Sequence, residues 1–435
     1  MLGQRSFLRI PQDANISVAI PIIAINFAFF MISALLHKLN AFEGISIALS
    51  EIILQKSQKK TPPIAEIQKK FAEFSPLALE QYKLRSKAES KLPGFCHSGC
   101  LFWQRSLEQS TSERVAQWKS DFFSTQTLLS VTGGLGVDEW AWNKLGTHVI
   151  SCDIQADLNA LVRFNQQKLG INYKRIDCDA HTLLEQNKNN SKALVYIDPD
   201  RRDGNNRLHG YWENFLPRID LLIQDYGDYY PNWLIKMSPM TDFRVLRDVI
   251  PGTINFYSVF YQGEVKELLL HVDIKSKSDT TRVAVHLDKS GDAYYFDSQE
   301  KNRFIASQSQ AHPNATDSFI FEPHGGINNV NLNYLLLEIP YLSSLTQQHT
   351  LFESQITLPK HWGRTKKIQE RYEGTLNDIG KNLRISGISA ASVTARNTKG
   401  IKAEIIKKKL GLNESDTHTL FVTQSDKGFK AWLTV

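Results

Sequence analysis

The sequence predicts an α/β protein built on an open, mostly parallel sheet, preceded by a helical domain and followed by α+β modules. Three observations carry this. Short apolar runs alternate with helix-patterned ones between Thr127 and Val249, the first run ends in a glycine cluster, and two long apolar runs two residues apart close the series. At 435 residues and 22% charged the chain is too long for one ordinary domain and too apolar to be disordered, so two or three packed cores are expected.

The strand candidates are TLLSV at Thr127, HVISC at His148, YKRI at Tyr173, ALVYI at Ala193 and WLIKM at Trp233. Helices are expected between them at Asp138 to Leu145, Asp157 to Leu169, Tyr211 to Gln224 and Thr241 to Val249. The runs TINFYSVFY and EVKELLLHVD are separated only by Gln262 and Gly263, which predicts an antiparallel hairpin. A plain dinucleotide-binding sheet is parallel throughout; a terminal hairpin marks its methyltransferase variant.

Upstream, apolar residues at three and four spacing predict helices from about Leu39 to Glu113, broken at Pro62-Pro63 and Pro93-Gly94. In SLEQSTSERVAQWKSDFF, Ser110 or Thr111 is placed to cap a helix. Downstream, turn signals such as Ser290-Gly291-Asp292 predict a small α+β insert, and LNYLLLEIPYLSSL reads as helix-like. The chain ends in ISGISAASVTARN, the basic helix IKAEIIKKKL closed by Gly411, and the strands THTLFVT and KAWLTV. The boundaries expected are 1–38 for an apolar extension, 39–113 for the helical domain, 114–273 for the sheet domain, 274–314 for the insert and 315–435 for the terminal module.

Ala14 to Leu36 holds no charged residue and is long enough to cross a bilayer. A membrane anchor, an uncleaved signal and a start read too early, with Met31 as the first residue, are the competing readings; the last is favoured because the rest of the chain has a cytoplasmic character. Four cysteines are too few for a disulfide framework and suit a reducing compartment. CHSGC, from Cys96 to Cys100, offers half of a metal site, but no second pair follows it, so no metal is expected.

The net charge of +6 is concentrated at the carboxyl end. From His361 to Val435 there are fourteen Lys or Arg against seven acids, so this segment is +7 and the remainder about −1. Lys402, Lys407, Lys408 and Lys409 fall within about two turns of one helix, a face suited to RNA phosphates, with plain solubility as the competing reading.

The glycine cluster is VTGGLGVD, Val131 to Asp138. Thr132, Gly133, Gly134 and Gly136 sit where the chain must turn tightly and let a ligand press on bare backbone at the positive end of a helix. Asp153, at the end of the next strand, is placed to accept both ribose hydroxyls of an adenosyl group, and Asp179, after the third strand, to reach an adenine edge; a surface acid is the competing reading for each. A nicotinamide cofactor is disfavoured because Glu139 takes the place of the third glycine of G-x-G-x-x-G.

The fourth strand ends in YIDPDRRDG. Ligands of open α/β sheets bind beyond the carboxyl ends of the strands, so Asp198 is expected to face the sulfonium of a methyl donor, aligning a nucleophile or taking up its proton. Arg201 and Arg202 are placed to grip a phosphate or polarise an oxygen through their forked donors, against the simpler reading of a solvated turn.

LEQSTSERVAQWK (Leu107 to Lys119), VTGGLGVD, YIDPDRR and the basic terminal module together resemble the bacterial class I methyltransferase-like proteins with a carboxyl-terminal THUMP-like domain, over roughly Phe42 to Val435. The resemblance implies a Rossmann-like class I methyltransferase sheet using S-adenosyl-L-methionine, a small ferredoxin-like insert at 274–314, and a THUMP-like module that binds RNA. Two departures stand out. Ser130 occupies the place of the acid that usually opens the glycine loop, and Asp198-Pro199 is followed by Asp200 and two arginines rather than by proline and an aromatic that could stack a flipped base. The expected function is therefore an S-adenosylmethionine-dependent methyltransferase acting on RNA, possibly tRNA. The alternatives are a non-catalytic donor- and RNA-binding protein and, last, a dehydrogenase-like enzyme.

Overall fold

A computed structural model of the protein describes residues 40–54, 75–200, 215–308 and 318–435. The apolar stretch 14–36 lies outside them; among the described residues no helix is long and apolar enough to cross a membrane.

Two sheets organise the described residues. Nine strands form the first: β1 (Thr127–Ser130), β2 (His148–Asp153), β3 (Lys174–Asp177), β4 (Leu194–Ile197), β5 (Asn232–Met237), β6 (Thr253–Tyr261), β7 (Glu264–Asp273), β8 (Arg282–Leu287) and β9 (Ala293–Phe296), in the order β3-β2-β1-β4-β5-β7-β6-β8-β9. β1 to β5 run parallel, each joined to the next through a helix, which a parallel ladder requires; all but the edge strand β3 are largely buried. β7 enters antiparallel to both β5 and β6, as the two-residue connection dictates. The order reverses between β1 and β4, so the ligand crevice of the fold lies at their carboxyl ends.

The connecting helices are α1 (Val137–Lys144), α2 (Ala156–Leu169), α3 (Ala180–Gln186) and α4 (Ile219–Tyr226). Of the helix expected over Tyr211 to Gln224, residues 211–214 lie outside the described residues; beyond them α4 starts only at Ile219, after Leu216 pairs with Asp200. Between Thr241 and Val249 only Phe243–Leu246 is helical, started by the Asp242 cap. Upstream, the helix of STSERVAQWK covers Glu113–Phe122 behind Ser112, which makes no side-chain cap. Neither Ser110 nor Thr111 caps it: Ser110 bonds back to the Leu107 carbonyl, and Thr111 turns into the core towards Asp138.

Residues 274–314, expected as a separate insert, place β8 and β9 on the main sheet. The hairpin leaves the outer edge of β6 unpaired, and β8 satisfies it in parallel, with Ala284 in the core on one face and Val285 and Leu287 in the core on the other. The second sheet holds β10 (Phe319–Pro323), β11 (Leu342–Ser344), β12 (Phe352–Ser354), β13 (Gly363–Gly374), β14 (Ser392–Arg396), β15 (Thr419–Ser425) and β16 (Gly428–Thr434). Its buried residues fall into three clusters, a small one of Ile320, Leu351, Ile368, Phe421 and Trp432 and two larger ones. Phe321, Ile327, Leu336, Phe352 and Trp362 pack with the main sheet's cluster, whereas Leu376, Ile379, Leu383, Ile406, Leu420 and Leu433 form a cluster of their own. The expected helix-like run LNYLLLEIPYLSSL is a 3-10 turn at Asn333–Glu338 followed by β11.

Where the two parts join, His324 stacks on Phe260 of β6 with ring centroids 4.7 Å apart and meets His286 of β8 at 5.4 Å. Its Nδ1 accepts the Gly326 N–H at 3.2 Å, and burial, with His286 and His361 beside it, pushes its pKa down to about 3. A base whose folded pKa lies below its unfolded value of about 6.5 contributes its full stability above that value and loses it progressively as pH falls towards 3. We therefore expect wild type to lose about 2–3 kcal/mol more than His324→Asn on going from pH 7.5 to 4.5. Denaturant titrations of both proteins check this; parallel pH dependences would refute it.

Candidate active site

β1 is apolar until Ser130, then bends through Val131 to Gly136 into α1. Two observations explain the glycines. A Cβ on Gly133 would stand 1.7 Å from Arg175 Nη1 and 2.3 Å from Ser151 Oγ, so only glycine lets the loop close over these side chains. Gly134, at φ 48°, has no atom within 4 Å of the same position, leaving its outer side bare.

Under the loop lies a buried polar core. Arg175 of β3 donates through Nε to Asn159 Oδ1 (2.6 Å), through Nη1 to Ser151 Oγ (2.9 Å) and through Nη2 to the Gly134 carbonyl (2.8 Å). Glu139, from the first turn of α1, accepts the hydroxyls of Ser130 (2.5 Å) and Ser151 (3.2 Å) through Oε1. Burial pushes its carboxyl up to about 7, against the pull of Arg175. A carboxylate is thus brought to Ser130 from the helix, at the place where the strand itself lacks one.

Asp153 ends β2 half-buried. Its Oδ2 accepts the Gly134 N–H at 3.1 Å and lies 3.9 Å from Arg175 Nη2, while its Oδ1 accepts the Gln155 N–H at 2.9 Å. Ile154 beside it is 77% exposed, an apolar side chain held open at the crevice edge. Across the crevice the Asp198 N–H donates to Thr132 Oγ1 at 2.7 Å, which ties the end of β4 to the glycine loop. The structure therefore brings together Thr132, Gly133, Gly134, Gly136, Asp153 and Asp198. Asp179 is exposed at the amino end of α3, where its Oδ1 caps the Thr182 N–H at 2.7 Å; that bond holds its carboxyl below the ordinary range. Arg201 and Arg202 lie outside the described residues.

Sequence reasoning missed the charges behind Asp198. Its Oδ2 lies 2.6 Å from Lys236 Nζ on β5. Burial alone would pull Lys236 down, but Asp198, Glu267 and Asp138 outweigh it and hold the ammonium above its ordinary range. Deeper in, Lys119 is fully buried and reaches Asp138 Oδ1 (3.0 Å), Glu267 Oε1 (2.9 Å) and the Tyr196 hydroxyl (3.1 Å). Asp138 Oδ2 accepts the hydroxyls of Thr111 and Tyr196, each at 2.9 Å. The available signal was a charge inside a run that must be buried, in WLIKM and EVKELLLHVD, since such a charge needs a partner.

In the terminal module the four lysines do not share one face. Lys402 precedes the helix Ala403–Leu410 as its N-cap, and Lys407 pairs with Glu414. Lys402, Lys408 and Lys409 are exposed. All four cysteines are free thiols, and among the described residues no three His, Cys, Asp or Glu side chains stand close enough to hold a metal ion.

No protein-family model matches this sequence, and no curated protein matches it. Among solved structures, the chain is similar to a protein named as a methyltransferase from Porphyromonas gingivalis W83, with a TM-score of 0.66 and 22% identity over 83% of this chain and 90% of that one. It is more distantly similar to a protein named as a class I S-adenosylmethionine-dependent methyltransferase from Listeria monocytogenes, with a TM-score of 0.33 and 13% identity over 56% of this chain and 93% of that one. Of these two, the first is close enough to fix the fold, and at 22% identity it speaks for the fold alone. The chain has the Rossmann-like fold of the class I methyltransferases, with its polar residues gathered at the carboxyl ends of β1, β2 and β4.

Proposed function

We propose that this chain is an S-adenosylmethionine-dependent methyltransferase that modifies RNA. The observation that carries the reading is the meeting of Asp153, the bare side of Gly134 and Asp198 around one crevice at the point where the strand order reverses. The residues fit the donor. The open backbone at Gly134 leaves room for it, the half-buried Asp153 carboxylate is placed for ribose hydroxyls, and Ile154 offers an apolar surface to a purine. Asp179 is assigned to the adenine edge, and Arg201 and Arg202 to a phosphate or an oxygen of the acceptor.

When bound, the donor supplies a methyl group on a cationic sulfur, which becomes a neutral thioether as the acceptor's lone pair forms the new bond to carbon. Asp198 aligns that acceptor and takes the proton it sheds. Glu139 compensates for the missing acid at Ser130, which weighs against a donor-binding protein without turnover. The same buried glutamate fills the space a nicotinamide-binding loop keeps for glycine. Isothermal calorimetry tests the reading: S-adenosylmethionine and S-adenosylhomocysteine should bind and NAD should not. Binding of NAD alone, or of none of the three, would remove it.

RNA is proposed as the acceptor because the whole net charge lies in residues 361–435, within the terminal module 315–435 that we read as THUMP-like in a cytoplasmic protein. With Lys407 engaged by Glu414, the exposed lysines to alter are Lys402, Lys408 and Lys409. Changing all three to Glu should weaken association with total RNA by roughly tenfold or more at 100 mM salt, and leave donor affinity as it was. Unchanged RNA retention in a gel-shift titration would take the acceptor role away from this helix.

A further inference from the structure

The crevice holds an ion pair whose charge balance bears on the donor itself, and the inference drawn from it rests on the donor reading above. Asp198 directly follows β4 and Lys236 lies near the end of the adjacent strand β5, with the carboxylate and the ammonium 2.6 Å apart. Only 12% of the Lys236 side chain is exposed, against 32% of Asp198, so the pair meets solvent through its carboxylate. Behind the lysine stand two further buried acids, Glu267 and Asp138, which share Lys119. Two ammonium groups thus face three carboxylates. Removing Lys236 would leave the Asp198 carboxylate in the crevice without its cation.

We propose that Lys236 is a positioning and specificity-determining residue: by neutralising Asp198 it keeps the crevice from over-binding the cationic methyl donor relative to its neutral product. Methyl transfer removes the positive charge from the sulfur, so an uncompensated carboxylate beside it would stabilise the starting complex more than the transition state and slow the reaction. Lys236 withholds that excess attraction while fixing the Asp198 carboxylate in one orientation. The pair is well sited for this, because Asp198 is also tied to the donor loop through Thr132.

The test compares two ligands of nearly equal shape and different charge. The affinities of S-adenosylmethionine and S-adenosylhomocysteine are measured by calorimetry for wild type, Lys236→Met, Lys236→Arg and Asp198→Asn. Lys236→Met should shift the affinity ratio towards the cationic ligand by about tenfold. Asp198→Asn should shift it the other way, and Lys236→Arg, which keeps the charge, should hold the wild-type ratio. A merely structural role would weaken both ligands together and leave the ratio alone. A wild type that binds both ligands, with a ratio unmoved in Lys236→Met or in Asp198→Asn, overturns the inference and leaves the donor reading standing. A wild type that binds neither removes the donor reading, and the inference with it. Should Lys236→Met fail to fold, the Asp198→Asn ratio decides.

Discussion

Replacing Lys119 by methionine is expected to cost about 3–5 kcal/mol of folding stability, the loss typical of removing one partner from a buried ion pair. Lys119 has no exposed surface and stands between Asp138 and Glu267, with Tyr196 bonded to its ammonium. Burial pushes the Asp138 carboxyl up, but Lys119 and Lys236 outweigh it and hold it low; for Glu267, burial wins over the same lysines and leaves it raised. Methionine fills the volume without the charge, so two buried acids would be left with Lys236 as their nearest cation. Urea titrations of Lys119→Met, alone and with Asp138→Asn, measure this. The double variant should recover part of the loss, since it removes one stranded carboxylate; a single-variant loss below about 1 kcal/mol would show that the cluster contributes little. The consequence reaches the crevice, because Asp138 lies in the first turn of the helix that carries the glycine loop and Tyr196, on β4, is two residues before Asp198.

Asp198→Ala is expected to lower methyl incorporation into RNA by roughly 10²- to 10⁴-fold, the range for loss of a positioned acid–base group. Affinity for S-adenosylhomocysteine should stay close to wild type, because Asp153 and the glycine loop, rather than Asp198, are assigned to the adenosyl group. Labelled methyl transfer to total cell RNA, with calorimetry on the same preparations, separates the two effects. Full incorporation by Asp198→Ala would place the reacting group elsewhere, and a parallel loss of product binding would make Asp198 part of the donor pocket instead.

Most of the seven strands of the methyltransferase-type sheet were legible because their apolar runs are bounded by turn residues and largely buried, whereas the edge strand β3 is half polar and was marked by its place in the series. The attachment of β8 was not, since pairing at an edge depends on what β6 leaves open rather than on the sequence of β8 alone. β13 was hidden for another reason. In GRTKKIQERYEG only Ile368 and Tyr372 are buried, so the strand reads as a polar linker. The helix Leu376–Ile385 after it was missed although Thr375 and Asp378 form a capping box that a closer reading of T-L-N-D would have found.

At the candidate site, the placement of the glycines, Asp153 and Asp198 was legible because it is local to strand ends. Lys119, Glu139 and Lys236 could not, because their partners are chosen by the fold and come from distant segments. Thr111 shows the difference within one motif: its spacing suggested a cap, and packing sent it to Asp138 instead.

The most direct measurement is a crystal structure of the protein grown with S-adenosylhomocysteine. The ribose hydroxyls should lie within hydrogen-bond distance of the Asp153 carboxylate, the adenosyl group against Gly134, and the sulfur on the side facing Asp198. Ligand density at another place on the chain, or a crevice filled by its own side chains at saturating ligand, would contradict the account.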